Sequence, residues 1–315
     1  MDYLVIILPK LVSFLLLILL GFCAARFGAV KREGLPSISG LMLKVALPCL
    51  TISLMEQRGT TFADLLSFHR IILWQLLGYL VLAAFGLLAA RLTGLRFPES
   101  NVHAGCMVGG NYAFVVIPMI MALYPADGGQ EYIPICSAVD TLVVWTLGLH
   151  LFTRGADRRN EPFWKPLLRQ LTHPIMLSIV GMLIFNSLRL TLPGAVSDLC
   201  SQVGNVCYTV GLIYIGCNMC FLKKASLGLI RHVCLIPLTK LLLVPLLLYW
   251  VSSQFLPQTE SVILMLIMGA PTMTTSVMIA EEHRLNADYA ATAVFLTTLS
   301  CLITIPLLFL LISFL

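Results

Sequence analysis

Asn111 lies in the run Gly109-Gly110-Asn111-Tyr112-Ala113-Phe114-Val115-Val116-Ile117-Pro118, in the middle of an otherwise apolar segment. Its amide offers two donors and an acceptor, flanked by the residue types that interrupt a helix. Such a group can contact a polar ligand, or it can cap the half-helix that follows, since Asn is a good N-cap. A second interruption reads Gly269-Ala270-Pro271-Thr272-Met273-Thr274-Thr275-Ser276. Gly109 and Gly269 stand 160 positions apart, about half of the 315-residue chain. A broken helix frees backbone N–H and C=O groups, which in hydrocarbon cost several kcal/mol each unless they line a polar cavity or meet a ligand. Paired breaks at matching places in two halves point to the binding site of a secondary transporter built from inverted repeats. The candidate substrate contacts are therefore Gly110, Asn111 and Tyr112 from the first break, and Ala270, Pro271, Thr272, Thr274 and Thr275 from the second. Hydroxyls in membrane helices often bond their own backbone instead, and Tyr112 suits packing as well as cavity lining.

Two ionisable residues fall deep inside apolar segments: Asp140, and Lys240 about nine residues, roughly 14 Å, into its segment. Intramembrane charges are costly and mark ion or substrate pathways by default. The two are read as groups for coupling or charge compensation, against a structural ion pair or a bond to freed carbonyls. Lys44 is similarly placed, but its long stem can snorkel to the membrane surface.

The elements that must position these residues follow from composition. With 59% hydrophobic and 11% charged residues and a mean hydropathy of +0.94, the chain is far from a soluble domain, where about a quarter of residues are charged. A helical span needs about 20 mainly apolar residues. Ten such spans can be drawn, at about 4–24, 36–55, 71–91, 102–123, 132–152, 174–188, 202–221, 230–252, 261–282 and 289–313. The first follows no basic stretch and is too long for a signal peptide, so it is expected to remain as a span. Of the 20 Lys and Arg residues, 14 fall in one set of loops and four in the other. The remaining two are Lys44 and Lys240. By the positive-inside rule both termini are outside and the basic 153–173 loop is cytoplasmic.

Sliding the sequence by 160 positions aligns Gly21 with Gly181 and the third span with the eighth. An odd number of spans per half then inverts the second repeat. The expected organisation is an all-α polytopic membrane protein with two inverted five-helix repeats, 1–152 and 174–315, joined by the linker 153–173. Its fourth and ninth helices would be broken and would cross.

Several function classes are excluded or weakened. There is no phosphate-binding G-x-x-x-x-G-K-[ST] loop, H-E-x-x-H or G-x-S-x-G. No catalytic residue and no metal ligand are assigned, and the chain is read as no enzyme. The ten cysteines lack paired metal spacing and read as small packing residues. Basic residues scattered over short loops give no reason to invoke nucleic acid. No cofactor is expected, and any coupling ion would be a proton or sodium.

Asn111 with Pro118 seven residues on resembles the N-x-G-x-x-G-I-P type motif of the auxin efflux carrier family. Ala270-Pro271, Ala280-Glu281-Glu282-His283, Asp288, Thr292-Ala293-Val294-Phe295 and Pro306 are similar to that family's last two spans. The likeness runs over the whole chain. Ala113 and Val116 replace common glycines, which implies a locally more helical first break. The long central loop of plant members is absent, so the chain resembles a short, bacterial-type member. The resemblance implies an elevator-type carrier of small organic anions, carboxylates such as malate or malonate, or auxin-like acids. It further implies a plasma (inner) membrane location, a homodimer, and a static domain built from spans one, two, six and seven. Two other readings stay open: a ten-span metabolite or drug exporter, which would have a continuous ninth span, and a membrane-embedded enzyme or receptor.

Overall fold

The computed structural model describes residues 2–64, 67–124, 128–154, 172, 174–221 and 232–314. The linker expected at 153–173 lies almost wholly outside the described residues, as do Lys223, Lys224 and Arg231. Among the described residues the chain is helical without strands, apart from one isolated antiparallel bridge between Gly110 and Thr272. In chain order the helices are α1 (Asp2–Arg26), α2 (Arg32–Arg58), α3 (His69–Leu92), α4 (Glu99–Val108), α5 (Tyr112–Leu123) and α6 (Tyr132–Thr153). They continue with α7 (Pro174–Ser187), α8 (Gly194–Phe221), α9 (Leu235–Ser252), α10 (Gln258–Met268), α11 (Thr275–Glu282) and α12 (Ala287–Ile312). Six of them, α2, α3, α6, α8, α9 and α12, are long and apolar enough to cross a membrane. Helices α5, α7, α10 and the Leu15–Arg26 part of α1 are apolar but shorter. Large apolar side chains such as Leu73, Leu80, Leu177 and Ile303 point outward from mid-helix, a surface that hydrocarbon covers better than water. Lys44 is exposed, as a snorkelling lysine should be.

Both expected breaks are present. Residues 109–111 separate α4 from α5, and residues 269–274 separate α10 from α11. The first break is the shorter, because helical geometry resumes at Tyr112 with a wide π turn over Tyr112–Val116. Similar wide turns occupy Met42–Ala46 in α2 and Thr239–Leu243 in α9. In these three, a proline (Pro48, Pro118, Pro245) follows two residues after the wide turn, whereas a fourth wide turn, Val144–Gly148 in α6, has none. A proline ring clashes with the carbonyl one turn back and removes a donor, and a widened turn is a recognised way to absorb that insertion. The prolines were visible in the sequence; that they would widen rather than sharply kink these helices was not.

Helices α1, α2, α7 and α8 pack on one another, while α3, α4, α6, α9, α10, α11 and α12 pack around the breaks. Glycines on α8 set the first group. A Cβ at Gly216 would lie 1.9 Å from Ile18 O of α1, and one at Gly204 would lie 2.7 Å from Leu50 Cα of α2. The reciprocal position, Gly21, approaches Ile213 O to within 2.0 Å of where a Cβ would stand. Close backbone approach through small residues drives helix association where water cannot. Where α5 meets α8 the contact is apolar: Phe114 of α5 stacks on Tyr214 of α8 at 4.5 Å, and Pro118 packs near Gly211. The alignment of Gly21 with Gly181 does not extend to packing, since a Cβ on Gly181 would meet nothing within 4 Å.

That difference is testable. Gly216→Ala should push α1 and α8 apart, with an overpacking cost of about 1–3 kcal/mol, seen as a lower unfolding temperature in detergent. Gly181→Ala should be neutral or slightly stabilising, because Ala is the better helix former by about 1 kcal/mol.

Candidate functional site

The two breaks meet. Asn111 N–H donates to Pro271 O at 2.7 Å and Met273 N–H donates to Gly109 O at 3.0 Å, bracketing the Gly110–Thr272 bridge. Each break thus satisfies part of the other's freed backbone, which neither hydrocarbon nor its own helix could do. Small residues allow the approach: a Cβ on Gly110 would stand 3.3 Å from that of Ala270. Pro271 lacks an N–H and contributes its carbonyl alone.

The carbonyl end of α4 is met from two further helices. Lys240 of α9, fully buried, donates from Nζ to Cys106 O and to Gly109 O, both at 2.9 Å. The Thr272 hydroxyl also donates to Cys106 O, at 3.1 Å. The Thr272 N–H in turn donates to the Thr297 hydroxyl of α12 at 3.0 Å, and that hydroxyl donates to Ala293 O at 2.7 Å. Of the alternatives open for Lys240, the structure gives it a bond to freed carbonyls. Thr297 was not a sequence candidate; a threonine in an apolar helix carries no signal of a distant amide that needs an acceptor.

Asn111 occupies the N-cap position of α5, but its side chain makes no capping bond. The capping alternative is thereby removed. The residue is only 8% exposed, and its amide has no hydrogen-bond partner among the described residues. Interior amides are ordinarily paired; this one is left open at the site, as is the Ser276 hydroxyl. Beside it, the N–H groups of Tyr112, Ala113 and Phe114 precede the bond from Val115 N–H to Asn111 O, within the turn whose donors lack helical partners. Tyr112 is buried with its hydroxyl donating to Ile133 O at 3.2 Å, a packing role. Thr274 and Thr275 sit partly exposed at the start of α11, and Thr274 makes no side-chain cap. The Ser276 hydroxyl is buried without a partner.

Asp140 makes no direct contact with the breaks but lies within electrostatic range of Lys240 and Tyr112. It accepts a short hydrogen bond from the hydroxyl of Tyr79 on α3. One turn earlier on α3, Gln75 donates to Cys136 O at 3.0 Å, and its own carbonyl oxygen is buried and unpaired. Tyr79 and Gln75 were missed, although two polar residues four apart share a helix face, and a buried tyrosine usually needs a partner for its hydroxyl. His103 is fully buried and bonded through Nδ1 to Tyr289 at 2.8 Å. At the end of the molecule where α2 stops and α6 begins, Arg58 pairs with Glu131 at 2.9 Å. Nearby, Thr61 donates twice to Asp64, at 2.8 Å each, and holds that carboxyl below its usual range. Among the described residues no cluster of three His, Cys, Asp or Glu side chains has the arrangement to hold a metal ion.

Comparison with known proteins gives one family. The family described as membrane transport protein matches residues 6–309. No curated protein matches the chain.

Thr297→Val should leave the Thr272 N–H without an acceptor in the core, a loss of about 1–3 kcal/mol. Thr304→Val, one heptad along the same helix, removes a buried hydroxyl that has no partner and should be neutral or stabilising. Thermal unfolding of the two variants in one detergent compares them directly; equal melting shifts would remove Thr297 from the support of the breaks.

Proposed function

Because the chain belongs to the membrane transport protein family, that of the auxin efflux carriers, we propose that it is a secondary carrier of small organic anions. Carboxylates such as malate or malonate, or auxin-like acids, are the substrate class. The carrying observation is the pairing of the two breaks around Asn111, a residue only 8% exposed whose amide has no partner among the described residues. In this reading α4 with α5 forms the fourth of ten spans and α10 with α11 the ninth, within inverted repeats 1–152 and 174–315. Both termini lie outside a plasma membrane, and the protein is a homodimer. The interruption at 269–274 weighs against the exporter alternative, which calls for a continuous helix there.

The electrostatics of the breaks favour an anion. Each half-helix exposes about half a negative charge at its carbonyl end and half a positive charge at its amide end. The carbonyl end of α4 is already met by Lys240 and Thr272. The amide end of α5 is left beside Asn111, and helix N-termini bind carboxylates through free N–H groups. Gly110, Ala270, Pro271 and Thr272 shape the floor of the site, with Thr274 and Thr275 at its α11 edge. Alternating access would move the helices around the breaks against α1, α2, α7 and α8, as in an elevator. Asp140, hydrogen-bonded to Tyr79, is the proposed proton-coupling carboxyl.

Asn111→Ala is expected to weaken carboxylate binding while leaving the unfolding temperature near wild type. A hydrogen bond to a charged group is worth about 1.5–3 kcal/mol, or roughly ten- to over a hundredfold in affinity. Replacing the acid by its uncharged amide should cost wild type at least about tenfold. Equal binding of acid and amide, measured by calorimetry on purified protein, would sink the anion reading.

Asp140→Asn should abolish uptake driven by a pH gradient in liposomes but retain exchange of internal for external substrate. Gradient-driven uptake at full rate would make Asp140 structural.

A further inference from the structure

We infer that the Lys240 ammonium is a tethered cation, held where an inorganic cation would otherwise sit at the paired breaks, and that removing its side chain leaves a latent cation site. The ammonium meets Cys106 O and Gly109 O at 2.9 Å each, both at the carbonyl end of α4. Among the described residues it has no carboxylate partner within ion-pair distance; the charge it touches is that of the helix end, about half an elementary charge, while the Asp140 carboxyl interacts with it only through space. Carbonyls of unwound segments and half-helix C-termini are the groups with which broken-helix transporters hold a coupling cation. Here the same groups converge on a lysine.

Other features fit a cation position rather than a simple buried lysine. Gly109 O takes a second donor, Met273 N–H, and Cys106 O takes a second, the Thr272 hydroxyl. The carbonyls on the ammonium are thus fixed by both breaks at once. Lys240 is fully buried and comes from a helix that contributes to neither break. It lies in the wide turn Thr239–Leu243 of α9, where helical register is shifted ahead of Pro245. An ammonium brought in by a third helix compensates the α4 end in every state of the site without leaving or entering.

Two consequences follow. The first concerns the protein without substrate. Lys240→Ala leaves a space matching the three outer methylenes and the ammonium, the shape of n-propylammonium. That ion, added as its permeant amine, should raise the unfolding temperature of the Ala variant and leave wild type unmoved. Neutral 1-propanol should do nothing, and Lys240→Met, which fills the stem without charge, should be destabilised and gain nothing from the amine. The second consequence rests on the transport reading: wild-type uptake in liposomes should be equal in sodium, potassium and choline salts. In the Ala variant, uptake should fall by roughly tenfold or more, the loss expected for hydrogen bonds to a charged group, and recover with propylammonium.

Melting curves need no substrate, so failure of the carboxylate reading leaves the first arm intact. A Met variant as stable as wild type would overturn the inference. So would an Ala variant unrecoverable with the amine present, or one that propanol stabilises as well as propylammonium does. Wild-type uptake that requires sodium would overturn it equally.

Discussion

A backbone amide or carbonyl without a partner costs several kcal/mol in hydrocarbon, and this protein interrupts two buried helices. Everything near the middle of the structure answers that demand. The breaks hydrogen-bond to each other through Asn111 N–H and Met273 N–H. What they cannot satisfy mutually is taken up by side chains from elsewhere: Lys240 from α9 and Thr297 from α12. The supply is uneven. Carbonyls at the end of α4 receive two donors each, while the Asn111 amide receives none. The Asn111 amide, with two donors and one acceptor, is therefore a polar group at the junction that the protein itself leaves unpaired, and the proposed anion would meet its donors.

The rest of the fold holds this junction at a fixed place by two devices. Glycines at 21, 204 and 216 let α1, α2 and α8 approach until backbone meets backbone. Wide turns ahead of Pro48, Pro118 and Pro245 let proline enter a helix while the helix continues. The second device also aims side chains, because a π turn shifts the helical register by one residue. Lys240 sits in such a turn, and so does Tyr112.

Much of this was legible in the sequence because it is written in local chemistry. The breaks at Asn111 and Pro271 announce themselves through Gly, Pro and Asn in apolar surroundings, and the six long apolar helices follow from hydropathy. Partner choice is not local. Nothing near Lys240 in the chain says that its ammonium ends on Cys106 O and Gly109 O, 134 and 131 residues away. Internal symmetry also misleads where packing differs: Gly21 is pressed against α8 while its aligned counterpart Gly181 faces open space. The capping alternative for Asn111 was a fair reading of its residue type, and only the side chain's lack of a capping bond removed it.

These bonds also constrain how the molecule could move. An elevator needs a boundary that packing crosses and hydrogen bonds do not, since apolar faces can slide while buried polar pairs must break. The breaks are bonded to α9 and α12, so those helices must travel with them. Between α5 and α8 the contact is ring stacking of Phe114 on Tyr214 and van der Waals packing of Pro118 near Gly211. The ion pair that links α2 to the start of α6, Arg58 with Glu131, has its arginine 51% exposed, and such pairs are worth about 0–1 kcal/mol. Asn111 lies three residues before Phe114, at the edge of that slidable face. A ligand bound beside Asn111 would sit at that apolar boundary, with the hydrogen-bonded breaks on one side of it and α8 on the other.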